Sequence, residues 1–482
     1  MLLIFGGWLS NTKLIRTYFI TGISLCVLLL LNLILYGTYG IDILFLIGIV
    51  CAFLYLFYHK YIYHIHDIFR RLVNLILIVF SLPVYAALIV LLIYCAANFP
   101  PGSSFDKKVT IGKIPQEEKD AFYRSLELHE TFKAELDDHD GKIGISLNNA
   151  FMNNPYDTLT VNRALDKTKA IRNTLLNFYS QNILSIPEEN YTIDGEIPKY
   201  GSLINAVKSD ILELSSLYGK EDYTAAYKKY IRLWKIVDNL SLGSQGAAGI
   251  MINNVIVNSI FPGKLSIEQH CRISYENREE LLEILTNIVK QTDANFVISL
   301  SVQAYVFNNI LTDLKEKPQN PDNFEGLSQL IFDKRSFRWP FYDLNKTLQM
   351  NDDYNAEYIK FVSQPLYKIK DDFSGINSKI EIPEPSLIVN PVGSKMITYT
   401  LPKFTNLIIK KEILKSRLTA LHYIIKSYNR KELEAPPIDN LTGKPFIVIA
   451  DDDSLEIKSE YVPESTSEKV AHFKISRFLM GK

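Results

Sequence analysis

Cysteine is scarce in this sequence. Of its four cysteines, three lie in long apolar runs, and only Cys271 lies in the more polar remainder of the chain. A single cysteine cannot close an intramolecular disulfide, and no two cysteines stand as a Cys-x-x-Cys pair. A disulfide-built scaffold and a zinc or redox site of the Cys-x-x-Cys type are therefore excluded.

An excess of basic charge is also missing. The 482 residues include 52 Lys and Arg and 53 Asp and Glu, which gives a formal net charge of -1. A protein that binds nucleic acid gains much of its affinity by neutralising phosphates with basic side chains. The balanced charge therefore argues against a nucleic-acid partner.

Charged residues are rare in the first hundred positions, where three long apolar segments stand instead. The segments cover about residues 17–36, 41–58 and 72–97. A helix needs about 20 apolar residues to cross the hydrocarbon core of a bilayer. We therefore expect a membrane domain at 1–98 with three transmembrane helices, whose partner is the lipid bilayer.

Basic residues flank these segments asymmetrically. Lys13 and Arg16 precede the first segment, and Lys60, Arg70 and Arg71 lie between the second and the third, whereas the first connection has none. Cytoplasmic connections of membrane proteins are enriched in Lys and Arg. The pattern predicts an integral protein of a bacterial inner membrane with a cytoplasmic N-terminus. Everything from about residue 99 to residue 482 is then expected in the periplasm.

The second connection, HKYIYHIHDIFRR, also holds potential metal ligands, namely His59, His64, His66 and Asp67. Imidazole and carboxylate groups suit zinc, copper and iron. In a helix, however, His59 and His66 lie two turns apart on one face, and His64 lies off that face. We expect an interfacial connector whose His and Tyr side chains lie at headgroup level, with neither a bound metal nor a cofactor.

Proline, glycine and serine interrupt the apolar pattern after the third segment. The stretch NFPPGSSFDKK indicates a linker at 99–114, and a helix-patterned soluble domain follows at 115–330. The composition then shifts towards aromatic residues and proline at 331–482. We interpret this last part as the C-terminal portion of the same soluble region.

Helical periodicity is clearest around residue 210. Apolar residues recur at helical steps from Leu203 to Leu214, and a second stripe runs from Tyr223 to Val237. A glycine separates the stripes, and Asp222 stands where a helix N-terminus favours an anion. The pattern predicts a helical hairpin, which is similar to a single tetratricopeptide-type hairpin. No second copy follows at a fixed period, so we do not expect a repeat solenoid.

More helices and a small sheet are expected further along the chain. Apolar spacing predicts helices at 278–290, 293–314 and 407–428. Alternating residues predict a β-hairpin at 446–462 and a third strand at 470–475. The predicted fold class is therefore mainly α. It consists of three N-terminal transmembrane helices, an α-helical extracytoplasmic domain, and a small C-terminal β-hairpin or three-stranded sheet.

Three motifs follow one another near the C-terminus: NPVGSK, then LTALHYIIKSYN in the predicted helix, then PPIDNLTGKPF. In this order they resemble the closing part of a set of uncharacterised bacterial envelope proteins. The last motif also resembles the Pro-x-Asp-Pro turn of type II secretion pseudopilins, although three apolar segments exclude a pseudopilin proper. The matching residues are Asn390, Pro391, Gly393, Ala420, Leu421, Tyr423, Pro437, Asp439, Thr442, Gly443, Lys444 and Pro445, and Asn440 replaces the second proline.

The resemblance implies a location and no activity. The proteins concerned combine N-terminal membrane anchoring with a helical extracytoplasmic domain, so other envelope proteins are the partners that we expect. The PPIDNLTGKPF motif itself has a structural explanation, because proline fixes φ, aspartate caps a turn and glycine takes the left-handed conformation before a strand. We assign Pro437, Asp439, Gly443 and Pro445 to this structural turn motif.

No catalytic residue can be assigned from the sequence. The acid and base candidates are His129, Asp137, Asp138, His139, Asp140, His270, His422 and the run Asp451, Asp452 and Asp453. The DDHDG stretch lacks the ligand spacing of a calcium loop, and the adjacent His270 and Cys271 point apart on a helix.

Two hypotheses about function remain. The first is a membrane-anchored structural or interaction protein of the bacterial envelope, whose helical extracytoplasmic domain binds partner proteins. The alternative is a membrane-associated enzyme that acts on lipid or cell-wall material through carboxylate or histidine residues that the sequence does not identify. A concave site that gathers titratable groups would favour the enzyme.

Overall fold

The computed structural model describes a large part of the chain beyond residue 111. The described ranges are 112–136, 142–152, 158–190, 200–243, 246–261, 266–274, 277–316, 342–362, 364–369, 405–428, 433–451, 454–461 and 471–476, with isolated positions elsewhere. The transmembrane helices predicted at 17–36 and 41–58 lie outside these residues, and the one at 72–97 is described at scattered positions only. Within the described ranges, no helix combines the length and the apolar character needed to cross a bilayer.

Helices dominate the described residues, and a small antiparallel sheet follows them, so the mainly helical fold class is confirmed. The helices are α1 Gln116–Leu136, α2 Lys142–Phe151, α3 Thr158–Gln181, α4 Tyr200–Gly219, α5 Tyr223–Leu242, α6 Gly246–Ile260, α7 Ile267–Ser274, α8 Arg278–Glu316, α9 Leu344–Val362, α10 Leu366–Ile369 and α11 Thr405–Ser427. The strands are β1 Ile447–Ala450, β2 Ser454–Lys458 and β3 His472–Ser476.

The predicted helical hairpin is confirmed as α4 and α5. Asp222 caps α5, because its carboxylate accepts a hydrogen bond from the Ala225 amide at 3.1 Å. The apolar stripes face inward, with Leu203, Leu214 and Trp234 fully buried. Burial of one large apolar side chain contributes roughly 1.5–3 kcal/mol, so this interface is a main source of the domain's stability.

Two helices are predicted at 278–290 and 293–314. The prediction of helical structure is confirmed, but the predicted break between them is wrong, because the structure has a single helix there. The helix α8 runs without interruption through 39 residues. Gln291 and Thr292 break the apolar stripe, but neither is a helix breaker, and the Thr292 hydroxyl donates to the Ile288 carbonyl at 2.6 Å within the helix. A polar dipeptide in the apolar stripe therefore changes the surface of α8 without ending the helix.

The C-terminal helix and sheet agree with the sequence prediction. The helix α11 matches the predicted 407–428 within the usual uncertainty of helix ends. The sheet has the order β1-β2-β3, and both pairs are antiparallel. Leu455, Ile457 and Ile475 are buried on one face. The alternation of apolar and polar residues along β2 therefore fixes which face meets the helical core.

Contacts divide the chain into two compact units, each discontinuous in sequence. The first comprises Met1–Lys107, Leu311–Asp352 and Ile382–Leu401, and the second comprises Lys108–Ile310, Asp353–Glu381 and Pro402–Lys482. The second unit holds the main apolar core, to which α3, α4, α5, α11 and the sheet all contribute. In the first unit, polar residues such as Asn98, Asp343 and Asn390 are buried.

Candidate functional site

Several candidates from the sequence lie outside the described residues. These are the potential metal ligands His59, His64, His66 and Asp67, and the acidic residues Asp137, Asp138, Asp140, Asp452 and Asp453 with His139. In the part of the chain that the structure does describe, no group of three or more His, Cys, Asp or Glu side chains is arranged to hold a metal ion.

The carboxylate of Asp439 organises the predicted turn. It is buried, and its Oδ1 accepts hydrogen bonds from the Leu441 amide at 3.0 Å and from the Ser416 hydroxyl at 2.7 Å. Its Oδ2 accepts from the Ser459 hydroxyl at 2.5 Å and from the Thr442 hydroxyl at 3.4 Å. Because Ser416 belongs to α11 and Ser459 follows β2, this one side chain ties the turn to both a helix and the sheet.

Main-chain hydrogen bonds close the same turn. The Gly443 amide donates to the Asp439 carbonyl at 2.8 Å, and the Phe446 amide donates to the Pro437 carbonyl at 3.0 Å. Pro445 then forms an isolated antiparallel bridge with Ile438, directly before β1 begins. The motif therefore leads the chain from a tight turn into the sheet.

Two features require glycine at position 443. Its φ of 70° lies in the left-handed region, where a Cβ is unfavourable. A Cβ placed there would also lie 2.6 Å from Cδ2 of Tyr367, well inside contact distance. The glycine of the motif is thus needed for the backbone conformation and for the packing of an aromatic ring.

A buried network of charged side chains joins α3, α4 and α5. The side chains of Arg172 and Asp210 are fully buried. Lys229 Nζ lies 2.7 Å from Asp210 Oδ1 and 2.7 Å from Glu213 Oε2, and Arg232 Nη2 lies 2.7 Å from Asp210 Oδ2. Arg172 pairs with Glu213 and places its Nε 4.0 Å from Asp210 Oδ1.

Neutral acceptors add to this network. Three cations face two carboxylates, and the Nη1 donors of the two arginines bond to uncharged groups. Arg172 Nη1 donates to the Leu165 carbonyl at 3.2 Å, and Arg232 Nη1 donates to the Asn173 and Asn177 side-chain oxygens at 3.1 and 2.9 Å. All of these partners belong to the protein itself. The network therefore holds α3, α4 and α5 together.

This network is not among the features predicted from the sequence, although the sequence carries a signal for it. Asp210 lies between Val207 and Leu214 on the apolar stripe of α4, and Arg172 lies between Thr168 and Leu175 on the buried face of α3. A charged residue within a buried stripe must find an opposite charge or a hydrogen-bond partner. Two such interruptions on nearby helices therefore indicate a buried pair.

Two histidines, His129 and His270, are buried among the described residues, and each is paired with a tyrosine from another helix. His129 Nε2 lies 2.7 Å from the Tyr179 hydroxyl, and His270 Nδ1 lies 2.6 Å from the Tyr230 hydroxyl. Burial lowers the pKa of His270 to about 3, so its ring is neutral at physiological pH. These contacts cross helix interfaces, and they fix α1 to α3 and α7 to α5.

A second cluster of charges joins α8 and α11. Lys411 Nζ lies 2.8 Å from Asp293 Oδ1 and 2.8 Å from Glu412 Oε1, and Lys415 Nζ lies 2.6 Å from Asp293 Oδ2. Burial alone would raise the pKa of Asp293, but the two ammonium groups lower it below its ordinary value. The cluster therefore contains two cations and two carboxylates in mutual contact.

The remaining candidates lie apart from one another. Burial, with a contribution from the Lys426 charge, lowers the pKa of His422 on α11. Asp451 caps the hairpin turn, where its carboxylate accepts from the Ser454 amide and, at 3.1 Å, from the Ser454 hydroxyl. The structure thus places these two residues in separate local roles and does not bring them together.

The comparisons with known proteins add no family to this geometry. No protein family, no curated protein and no solved structure matches the chain.

Proposed function

We propose that this chain is a membrane-anchored interaction protein of the bacterial envelope, whose helical extracytoplasmic domain binds partner proteins. The three apolar segments and their basic flanks support the anchoring and the orientation. The NPVGSK to PPIDNLTGKPF series supports the envelope location through the resemblance already given.

One observation favours an interaction protein over an enzyme. Among the residues that the structure describes, the buried groups suited to acid-base chemistry hold helices together: Asp210 faces Lys229 and Arg232, and His129 and His270 each face a tyrosine. An active site needs such groups at a cleft that a substrate can enter. In a domain where such groups instead hold helices together, the helices are fixed relative to one another, and the domain is suited to presenting a fixed surface to a partner.

The surface of α6 gives a place to probe for a partner. Most of this helix is buried, but Met251 is 55% exposed and Val255 is 40% exposed one turn later. Two exposed apolar side chains at this spacing share one face of the helix. An exposed position on a helix whose opposite face is packed is a sound site for a photo-cross-linking side chain, because substitution there leaves the core intact.

The experiment is photo-cross-linking of the full chain in intact membranes of the organism that encodes it. A benzophenone side chain is introduced at Met251 and, as the matched control, at the exposed Asp166 of α3. We expect a discrete protein adduct from position 251 that is absent from position 166. The Val255→Glu substitution should then reduce the yield of that adduct at unchanged protein level.

Two other outcomes of the cross-linking experiment would contradict the proposal. If neither position yields a protein adduct and position 251 instead captures lipid or glycan, the interaction function is contradicted and the enzyme hypothesis gains support. If both positions yield the same mixture of proteins, the contacts are non-specific, and the proposal fails in its present form.

A further inference from the structure

Three distant stretches of the first compact unit meet at Asn390. This residue is fully buried and has a φ of 43°, in the left-handed region that asparagine tolerates better than most residues. Its side chain faces the start of α9, and its backbone faces Asn98. The NPVG motif therefore has a defined structural environment, independent of the turn at Asp439.

The side chain of Asn390 completes the N-terminal cap of α9. Asp343 caps the helix by accepting from the Lys346 amide at 3.1 Å. In a capping box, the residue at the Lys346 position would accept from the Asp343 amide, but a lysine side chain cannot accept. Asn390 supplies the missing acceptor, because its Oδ1 accepts from the Asp343 amide at 2.9 Å.

The other end of the Asn390 amide is used as well. Its Nδ2 donates to the Thr347 hydroxyl oxygen at 2.9 Å and to the Asp343 carbonyl at 3.3 Å. Gly393 lies directly against this group, since a Cβ there would be 2.0 Å from Thr347 Oγ1 and 2.4 Å from Asn390 Nδ2. The asparagine and the glycine of the motif are thus both required by the contact between the Asn390 side chain and Thr347.

The backbone of Asn390 reaches a third stretch. Its amide donates to Oδ1 of Asn98 at 2.6 Å, and Asn98 Nδ2 donates to the Tyr94 carbonyl at 2.8 Å. The Asn98 amide also donates to the Tyr94 carbonyl, so Asn98 closes a helical turn. This turn lies where the third predicted transmembrane segment ends.

We infer that Asn390 and Gly393 form a clasp, which couples the end of the third apolar segment to the first turn of α9. A single buried residue donates to Asn98 through its backbone and holds Asp343 and Thr347 through its side chain. A displacement of the segment end is therefore transmitted to α9. The clasp is a conformational device, and it does not depend on which partner the domain binds.

Hydrogen exchange of the full chain, in membrane vesicles, tests the coupling. The Asn98→Ala substitution removes one end of the clasp without touching Asp343. Coupling predicts that exchange of the Asp343 amide nevertheless becomes about tenfold faster, the effect of losing roughly one net hydrogen bond. The Asn390→Gly substitution keeps the left-handed backbone and should accelerate exchange at residues 94–98 and at 343–347 together.

Two controls separate the clasp from a general loss of structure. Asn440→Gly makes the same change in the other turn motif and should leave exchange at Asp343 unchanged. Peptides from α5 should keep their protection in every variant. If Asn98→Ala makes the chain unstable as a whole, the milder Asn98→Ser takes its place.

The coupling is overturned if Asn98→Ala or Asn98→Ser accelerates exchange only near residue 98 while Asp343 stays protected. It is also overturned if Asn390→Gly affects α9 alone, because Asn390 would then be a local helix cap. Neither result depends on finding a binding partner, so a failure here is distinct from a failure of the proposed function.

Discussion

Asp210 and Asp439 are both buried carboxylates, but the protein stabilises the two side chains in different ways. Asp210 lies between helices and faces the cations Lys229 and Arg232, with Arg172 close by. Asp439 lies in a turn and accepts hydrogen bonds from hydroxyl groups and from a backbone amide. One site is built from charge pairs, and the other from neutral donors.

The difference shows how sequence distance shapes a buried polar site. The turn supplies donors that are close in sequence to Asp439, such as Leu441 two residues away. The helices must bring Arg232 to Asp210 across 22 positions, and Glu213 to Arg172 across 41. The first site forms in part with the turn itself, and the Ser416 and Ser459 hydroxyls, 23 and 20 positions away, complete it. The second site has no such local part and exists only when three helices have packed.

The largest expected effect comes from breaking the charge pairs. Asp210→Ala leaves buried cations without their shared partner, and removal of one member of a buried pair costs about 3–5 kcal/mol. We expect a loss of this size in the free energy of unfolding, measured by urea denaturation. Asp166→Ala, on the exposed face of α3, is the control and should change stability by less than about 0.5 kcal/mol. A small effect at Asp210 would mean that the network contributes little.

The turn should be the weaker of the two sites. Asp439→Ala removes the acceptor of the Ser416 and Ser459 hydroxyls, and we expect a cost of about 2–3 kcal/mol, as for buried hydrogen bonds to a charged group. The same urea experiment measures it, with Asn440→Ala as the neighbouring control. If Asp439→Ala proves more damaging than Asp210→Ala, the order of the comparison is reversed.

His270 extends the comparison to a buried titratable group that faces a neutral partner. Its pKa is about 3 in the folded protein, against the ordinary histidine value of 6.5 in the unfolded chain, so only the unfolded chain gains the proton as pH falls below about 6.5. Folding stability should then decrease towards acid, with a slope approaching about 1.4 kcal/mol per pH unit. The slope ends near pH 3, where the folded state also binds the proton.

The pH effect is isolated by subtraction. The stability of wild type minus that of His270→Gln, followed by urea denaturation between about pH 7.5 and pH 5, should fall with decreasing pH. Burial raises the pKa of Asp238 from 3.8 to about 6, which acts with the opposite sign in that window, but it cancels in the difference. A flat difference would show that His270 titrates normally in the folded protein.

The smallest expected effect concerns Gly443. Gly443→Ala places a Cβ on a left-handed residue, at a cost of about 1–2 kcal/mol before any movement of the Tyr367 ring. Gly219→Ala is the matched control, because no atom lies within 4 Å of a Cβ there and the residue ends a helix. Equal stability of the two variants would remove the argument that the turn requires glycine at position 443.

Much of the fold was predictable, because it follows from local patterns. The periodic stripes of α4 and α5 and the alternating residues from 446 onwards led to the right elements. The turn at Asp439 was predictable for the same reason, since proline, aspartate and glycine act on their own neighbours. The break expected within α8 was wrong because a polar dipeptide interrupts an apolar stripe without ending a helix.

The buried network and the clasp were not predictable in the same way. Asn390 and Asn98 are 292 positions apart, and no periodicity relates them. Single charged residues in a buried stripe point to a pair, but they do not name the partner. What the sequence lacks is the packing of the helices, which decides which polar groups meet.

The central proposal is that the helical domain lies on the opposite side of the membrane from the N-terminus. It is tested most directly by adding a membrane-impermeant maleimide to intact spheroplasts that carry Asp166→Cys or Tyr63→Cys. The natural Cys271 is buried, which keeps the background of the helical domain low. We expect Asp166→Cys to be labelled at once and Tyr63→Cys only after lysis. Labelling of Asp166→Cys only after lysis would contradict the orientation and, with it, the envelope function.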